Sequence, residues 1–231
     1  MRQRIDIRGV IIPNSYKDIY DWLEMDSTCP RDVRTVLDAS GDDVDVYINS
    51  NGGEIASGSE IYTMLREASQ TRDVMIHITG AAHSAASVIA CSARSEMAPT
   101  ALMMVHCVSS CAAGNHADLE HEAEVLRTAD QALSSAYTEK SGMTREEVLE
   151  MMENETWLTA ERAKELGLID DIMFAQPEPQ KEAMAAGSGL LSVAEIERIR
   201  GIMQSQKKLD AQAIAQAQRL QIGRLATVRK Q

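Results

Sequence analysis

The chain has 231 residues, a formal net charge of −12 and 44% hydrophobic residues, among which methionine is plentiful and aromatic residues are scarce. This length and composition suit one aliphatic core with an appendage, and no apolar run is long enough to span a membrane. The start of the chain is too polar for a signal peptide, and the acidic excess argues against nucleic acid as the main substrate. We therefore expect a cytoplasmic protein.

The cysteines form neither a metal-binding nor a disulfide pattern. There are four, without the CxxC pairs of zinc sites and without the density of a secreted disulfide scaffold. Two cysteines lie near histidines and could be drawn with them as metal ligands: His106, Cys107, Cys111 and His116. The sequence pattern places two of these four residues on a strand and two in a loop of small residues. We expect reduced cysteines, no metal and no cofactor.

Strands and helices alternate in the first half of the chain. An apolar alternation around Gly9 is typical of a strand, and Pro30 opens a helix where its missing N–H costs nothing. The predicted elements are a strand at Ile5–Ile12, a short segment at Asp18–Leu23, a helix at Pro30–Leu37, a strand at Val44–Asn49, a helix at Ile55–Ala68 and a strand at Val74–Thr79. This order indicates βαβ units with a parallel sheet.

Two of these strands end in turns of small residues. Gly52 and Gly53 follow the second strand, and Gly80 punctuates the third strand shortly before Ser84. Because the carboxyl ends of parallel strands meet at one edge of a sheet, we expect the two turns to be neighbours. A phosphate-binding loop at Gly52-Gly53 is disfavoured, since no Lys-Ser/Thr pair follows it.

Ser84 stands where a strand turns into a helix. The first amides of a helix have no intrahelical partner and lie at the positive end of its dipole. The amide of Ala85 could therefore stabilise the oxyanion that forms when Ser84 attacks a carbonyl group. The competing interpretation is that Ser84 only caps the helix, as most serines before helices do.

The second half of the chain predicts one long helix between shorter elements. A strand at Met97–Val105 ends in His106, and Gly142 closes a helix at Ala117–Ser141. A capping box at Thr144 opens a helix through Met152, and a last helix and strand lie between Trp157 and Asp171. We expect these elements to complete a domain of residues 1–175.

Proline and glycine mark residues 176–190 as a linker, and residues 191–231 predict a basic helical tail. Residues 181–231 hold nine basic and four acidic residues, whereas the first 180 residues hold 14 basic and 31 acidic ones. The apolar stripe of the tail is thin, so we expect the tail to pack on a partner or to be mobile.

Five short motifs follow one another along the chain. They are Ile48-Asn-Ser-Asn-Gly-Gly53, Gly80-Ala-Ala-His-Ser-Ala-Ala-Ser87, Met103-Met-Val-His106, Gly114-Asn-His-Ala-Asp-Leu119 and Glu155-Thr-Trp-Leu-Thr-Ala160 with its continuation to Asp170. In this order they resemble the proteolytic subunit of the Clp protease, most closely the shorter ClpP-like head maturation proteases of phages and prophages. The resemblance covers residues 5–173, and five ordered motifs rarely agree by chance.

The resemblance implies a serine peptidase of α/β class with the crotonase-like spiral fold. This fold consists of repeated ββα units with a protruding handle helix, here followed by the helical tail. Ser84 matches the nucleophile, His106 the general base and Glu155 the acid, although housekeeping relatives carry Asp at that position. Asp170 and Asp171 are the alternative carboxylates.

The same resemblance implies an oxyanion hole and suggests one unusual neighbour of the nucleophile. Gly53 and Ala85 match the two oxyanion-binding amides, and Gly52 lets its loop approach closely. Asn51 stands where relatives commonly have Pro, and His83 where they have Ala. We expect His83 to face solvent.

Partners also follow from the resemblance. It implies polypeptide substrates and a homo-oligomeric ring, heptameric or in stacked rings, with a role in capsid maturation and a capsid or scaffold protein as partner. The axial-pore segment of the housekeeping subunit has no counterpart at the N-terminus, which argues against dependence on a Clp ATPase. The alternatives are a catalytically decayed ring or scaffold protein and an acyl-CoA-processing enzyme of the crotonase fold.

Overall fold

The computed structural model describes residues 2–175 and 196–203. The compact unit that holds the sheet ends at Ala175. Its strands are β1 Gln3–Ile11, β2 Ser27–Thr28, β3 Val44–Gly53, β4 Val74–His83, β5 Arg94–Met97, β6 Leu102–Val105, β7 Thr156–Leu158 and β8 Asp171–Ile172. Its helices are α1 Lys17–Trp22, α2 Pro30–Ala39, α3 Ile55–Ala68, α4 Ala85–Ala90, α5 His116–Ser141, α6 Arg145–Glu153 and α7 Ala160–Glu165.

All eight strands belong to one sheet. The main path has the order β2-β1-β3-β4-β5-β8, and every pair along it is parallel. β6 also pairs in parallel with β4, and β7 is antiparallel to β6. The prediction of an α/β protein with a largely parallel sheet is confirmed.

The core lies between the central strands and the helices that connect them. The inward side chains of β1, β3 and β4 are β-branched or aliphatic and almost wholly buried, because strands of a parallel sheet are covered by their crossover helices. Large residues that are fully inaccessible include Ile7, Ile48, Ile76, Ile78, Ile61, Leu65 and Ile89. The site described below is therefore built on strands that cannot shift without opening this core.

Three predicted strand boundaries were wrong. β3 runs through Gly53 and does not end at Asn49. β4 continues through Gly80 to His83. A Cβ atom on Gly80 would lie only 2.4 Å from the side-chain oxygen of Asn49, so only glycine fits at this position of the strand. This glycine permits close packing between strands and does not form a turn. The predicted strand Met97–Val105 is two strands, since β5 pairs with the first part of β4 and β6 with its last part.

The long helix α5 was predicted within one residue at its start. Asn115 caps it through Ala117 and Asp118, and Gly142 ends it in the left-handed conformation with φ 75°. The second half of α5 is packed against the core through Ser134, Ala136 and Tyr137, whereas the first half is largely exposed. The resemblance assigned this helix, with the segment Ser109–Gly114 before it, to a handle.

The predicted linker and most of the predicted tail lie outside the described residues. Residues 196–203 are helical, within a segment predicted to be helical from Ser192 to Met203. Across residues 2–175 and 196–203, the structure contains no helix with both the length and the apolarity needed to cross a bilayer.

Candidate active site

Ser84 occupies a strained turn between β4 and α4. Its backbone has φ 53° and ψ −126°, a conformation that is rare for a residue with a side chain. The amide of Ser84 donates to the carbonyl of Met104 in β6 at 2.9 Å, which ties the turn to the neighbouring strand. A sharp turn from strand to helix exposes the hydroxyl of a serine at the edge of the sheet, as nucleophilic serines require.

His106 is placed against Ser84 by the pairing of their strands. β6 lies parallel to β4 with His83 opposite Met104, and His106 is the first residue after β6. Its Nε2 is 2.8 Å from the Oγ of Ser84. When the serine donates this hydrogen bond, the imidazole is neutral with its proton on Nδ1, the form that can accept the hydroxyl proton.

The glycine pair Gly52-Gly53 at the end of β3 lies directly against the Ser84 turn. A Cβ atom on Gly52 would be 2.7 Å from both the Ser84 Cβ and the His83 carbonyl oxygen, and 3.1 Å from the Ala85 nitrogen. Gly52 has φ 91°, a conformation that glycine adopts without strain. The glycine pair and the Ser84 junction are therefore neighbours, as predicted, although the glycine pair belongs to a strand and not to a turn.

Glu155 does not hydrogen-bond His106 in this structure. Its side chain is exposed, and its Oε1 accepts a hydrogen bond from the indole Nε1 of Trp157 at 3.2 Å. Within the described part of the chain, the only side-chain hydrogen bond of the His106 ring is the one to Ser84. The structure therefore joins two of the three residues that the resemblance assigned to a triad and leaves the third with another partner.

The backbones of His106 and Glu155 are nevertheless close. The amide of Cys107 and the amide of Glu155 both donate to the carbonyl oxygen of Met152, at 3.1 and 3.2 Å. Met152 is almost fully buried in the last turn of α6, so this shared oxygen is firmly held. The distance between the two functional groups thus depends on the Glu155 side chain and not on the backbone.

The alternative carboxylates lie elsewhere. Asp170 pairs with Lys140 and accepts from the amide of Ser95, while Asp171 pairs with Lys164. Burial opposes ionisation of Asp170, but the ammonium group and the amide outweigh it, so that its pKa lies below the ordinary value. These contacts join β8 to β5 and to helices α5 and α7.

His83 is not directed to solvent, contrary to expectation. Its ring meets the ring of Trp157 edge to face at a centroid distance of 4.8 Å, and its Nε2 is buried without a hydrogen-bond partner in the described residues. Burial lowers the pKa of His83, which keeps the ring neutral. The sequence marked His83 as unusual but could not show that an aromatic side chain from β7 covers it.

The thiol next to His106 is not a competing nucleophile. Burial, with the nearby carboxylate of Asp130, raises the pKa of Cys107 to about 11, so its thiol is protonated at neutral pH. Burial likewise raises the pKa of Cys91 to about 12. In the described residues, no group of three or more Cys, His, Asp or Glu side chains could hold a metal ion.

A small pocket of about 70 Å³ opens beside Ser84 and His106. Its polar edge includes Gly53, Ala85, Ser109 and the two paired side chains, and its other walls are mostly apolar. The apolar lining consists of Ile55, Val88, Val108, Leu133, Tyr137 and Met152. Leu133 and Tyr137 lie in the predicted long helix, but helical spacing alone could not show that they line a pocket beside the serine.

Comparison with known proteins identifies the family. The family model for Clp protease matches residues 34–176, which include the Ser84–His106 pair and the glycine pair. The chain belongs to the Clp protease family. The match identifies the family and not the subgroup of phage head maturation proteases.

Curated Clp proteins resemble the chain over different lengths. The ATP-dependent Clp protease proteolytic subunit of Bacteroides fragilis is 31% identical over 137 residues, which are 58% of this chain and 65% of that protein. The ATP-dependent Clp protease proteolytic subunit 1 of Streptomyces avermitilis is 29% identical over 174 residues, which are 74% of this chain and 79% of that protein.

The fold agrees with a solved Clp structure. A mutant of ClpP1 from Listeria monocytogenes superposes with a TM-score of 0.61 and 20% sequence identity, covering 75% of this chain and 92% of that one. The predicted ClpP-like fold is therefore confirmed.

Proposed function

We propose that the protein is a serine endopeptidase in which Ser84 is the nucleophile and His106 the general base. The observation that carries this proposal is the 2.8 Å hydrogen bond between Ser84 Oγ and His106 Nε2 at a strained strand-to-helix turn. Most serines before helices are only caps, but Ser84 makes no side-chain capping hydrogen bond. Its hydroxyl is engaged by the base instead.

The proposed reaction follows from this arrangement. Ser84 Oγ attacks the carbonyl carbon of the scissile peptide while His106 takes its proton, which gives a tetrahedral oxyanion. The amides of Gly53 and Ala85 are proposed to donate to that oxyanion. His106 then protonates the leaving amine, and water hydrolyses the acyl-enzyme by the reverse sequence of proton transfers. Glu155 is the proposed acid that orients His106.

The pocket beside Ser84 is proposed to hold the side chain that precedes the scissile bond. Its walls are mostly aliphatic, and Tyr137 offers no free hydroxyl to a substrate because it is hydrogen-bonded to Ser87 at 2.7 Å. A charged side chain would lose its hydration there without a partner. We therefore expect cleavage after small apolar residues.

The substrates are proposed to be polypeptides that are cut inside a homo-oligomeric ring. Family membership supports this assembly, and the exposed first half of α5 presents Leu119 and Val125, each more than 40% exposed. A role in capsid maturation rests on the resemblance of the motifs alone. Sedimentation of the purified protein tests the ring, since a monomer at micromolar concentration would contradict it.

Labelling with a fluorophosphonate probe tests the catalytic proposal. Intact mass should show one adduct on the wild-type protein, none on Ser84→Ala and a steeply reduced rate on His106→Ala. Ser59→Ala and His121→Ala are matched controls, since both residues are exposed on helices, and they should label like wild type. An assembled, folded wild-type protein that takes no probe would contradict the proposal.

A second candidate, a catalytically decayed ring or scaffold protein, is favoured by one observation. The carboxylate of Glu155 is exposed and hydrogen-bonded to Trp157, so His106 lacks an acid partner. The same labelling experiment separates the two functions, because a decayed site would not react with the probe.

A further inference from the structure

The carboxylate of Glu155 lies within reach of two partners, and only one of them holds it. We propose that Trp157 is a positioning residue that competes with His106 for the Glu155 carboxylate, so that loss of the indole N–H completes the triad and raises the rate. This proposal rests on the proposed function and concerns the same site. It assigns a rate-setting role to a residue that touches neither the nucleophile nor the base.

The strand register brings Glu155 opposite His106. In the antiparallel pair of β6 and β7, Met104 faces Trp157 and Val105 faces Thr156. The next positions along the two chains are His106 and Glu155. Residues that face one another in such ladders have Cα atoms about 4.5–5.5 Å apart, a distance that a glutamate side chain easily spans.

The backbone on both sides of Glu155 is fixed. Its amide donates to the carbonyl of Met152 at 3.2 Å, and the hydroxyl of Thr156 donates to the carbonyl of Met151 at 2.7 Å. Glu155 also has φ 44°, a conformation that persists only where the surroundings hold it. Exposed side chains change rotamer within picoseconds to nanoseconds, so side-chain rotation suffices to move the carboxylate.

Trp157 is the group that holds the carboxylate in its present position. The indole N–H donates to a charged oxygen at 3.2 Å, and hydrogen bonds to charged acceptors are stronger than neutral ones. The indole ring itself is steadied on its other side by the edge-to-face contact with His83. The contacts thus run from the residue before the nucleophile, through Trp157, to the proposed acid.

This arrangement has a direct consequence for catalysis. Without a carboxylate at Nδ1, nothing fixes the tautomer of His106 or stabilises the imidazolium that forms when Ser84 loses its proton. Glutamate has one more methylene group than aspartate, and this extra length allows the carboxylate to reach the indole. An aspartate here would be too short to keep the same hydrogen bond.

The decisive variant is Trp157→Phe, which keeps an aromatic side chain at this position and removes the indole N–H donor. We expect kcat for a peptide substrate and the rate of fluorophosphonate labelling to rise several-fold, with KM unchanged. The matched control is Trp22→Phe, which removes the other tryptophan of the chain, 82% exposed on α1, and should change nothing. An equal or lower kcat for Trp157→Phe would overturn the proposal.

Two further variants separate a positioning role from a structural one. In the Glu155→Ala background Trp157→Phe should have no effect, because the residue acts only through the carboxylate. Glu155→Asp should itself raise kcat and should also cancel the effect of Trp157→Phe. If Trp157→Phe fails to fold by circular dichroism, Glu155→Asp alone decides: a lower kcat than wild type would overturn the proposal.

The two proposals fail in distinguishable ways. Absence of labelling in every folded variant overturns the peptidase function and this inference with it. Labelling of wild type and Trp157→Phe at the same rate overturns only the role of Trp157. In the Trp22→Phe background, Trp157 is the sole tryptophan of the chain. Its emission, excited selectively over the tyrosines, should change when Glu155→Ala removes its hydrogen-bond acceptor, and an unchanged spectrum also overturns the role.

Discussion

The two sides of the site are held in place by different means. Ser84 and His106 are positioned by backbone, through the pairing of β4 with β6 and the amide of Ser84 on the carbonyl of Met104. Glu155 has an equally fixed backbone, but its carboxylate is exposed and follows the hydrogen bond from Trp157. The fold thus fixes the proposed nucleophile and base, whereas a side-chain hydrogen bond sets the position of the proposed acid.

The largest effect on the labelling rate should come from a change at Gly52, on the side of the site that the backbone positions. Gly52→Ala places a Cβ atom 2.7 Å from the Ser84 Cβ and forces a side chain onto φ 91°, so the Ser84 turn must move. We expect the rate of fluorophosphonate labelling to fall by about 10²–10³-fold, as when an oxyanion donor is lost. Gly41→Ala is the control, because a Cβ atom there meets nothing within 4 Å. Equal rates for the two variants would contradict the geometry described.

A second change widens the pocket on the same side. Met152→Ala removes an almost fully buried side chain that lines the pocket, and such truncations cost about 2–5 kcal/mol. Chemical denaturation should show this loss in the free energy of unfolding. Peptide libraries should show a shift of the preferred residue before the scissile bond towards larger apolar side chains. Met25→Ala, at an exposed methionine, should change neither quantity.

The acid side should respond more weakly to removal. Glu155→Ala removes a carboxylate that is hydrogen-bonded to Trp157 and not to His106. We therefore expect kcat to fall by about tenfold or less. Loss of a triad acid that is hydrogen-bonded to its histidine lowers kcat by ~10⁴-fold. Steady-state kinetics measure this effect, with the exposed Glu161→Ala as the control. A fall as large as that of His106→Ala would mean that Glu155 is already engaged.

The smallest effect on activity should come from a carboxylate outside the site. Asp170→Asn weakens the ion pair with Lys140, and we expect the free energy of unfolding to fall by roughly 1 kcal/mol. This loss is smaller than that for a buried ion pair, because the Asp170 side chain is 44% exposed. The folded-state pKa of Asp170 is lowered, so its contribution to stability is present above its ordinary pKa of 3.8 and is lost as the pH falls through the folded-state pKa. The free energy of unfolding should therefore be larger for wild type than for the variant above pH 3.8. The two values should converge below the folded-state pKa of Asp170. Labelling at Ser84 should be unchanged.

Sequence patterns located the parts of the site that depend on local structure. The strand-to-helix junction at Ser84, the glycine pair at Gly52 and the end of a strand at His106 are set by hydrophobic period and turn residues within a few positions of each other. Their mutual contact then follows from the parallel arrangement of the strands, which brings carboxyl ends to one edge. Glu155 was proposed as the acid from the family resemblance alone, and the register of β6 and β7 ends one position before it, at Val105 and Thr156.

The sequence by itself thus determined an α/β protein with a largely parallel sheet, the helix from His116 to Ser141 within one residue, and a serine and a histidine at the ends of adjacent strands. Only the tertiary structure decided that β4 runs on through Gly80, that His83 lies beneath Trp157 and that the Glu155 carboxylate binds the indole. The physical reason is that these outcomes depend on side chains from distant parts of the chain. Local patterns fix where a strand or helix forms, but the partner of an individual side chain is fixed by what the fold packs beside it.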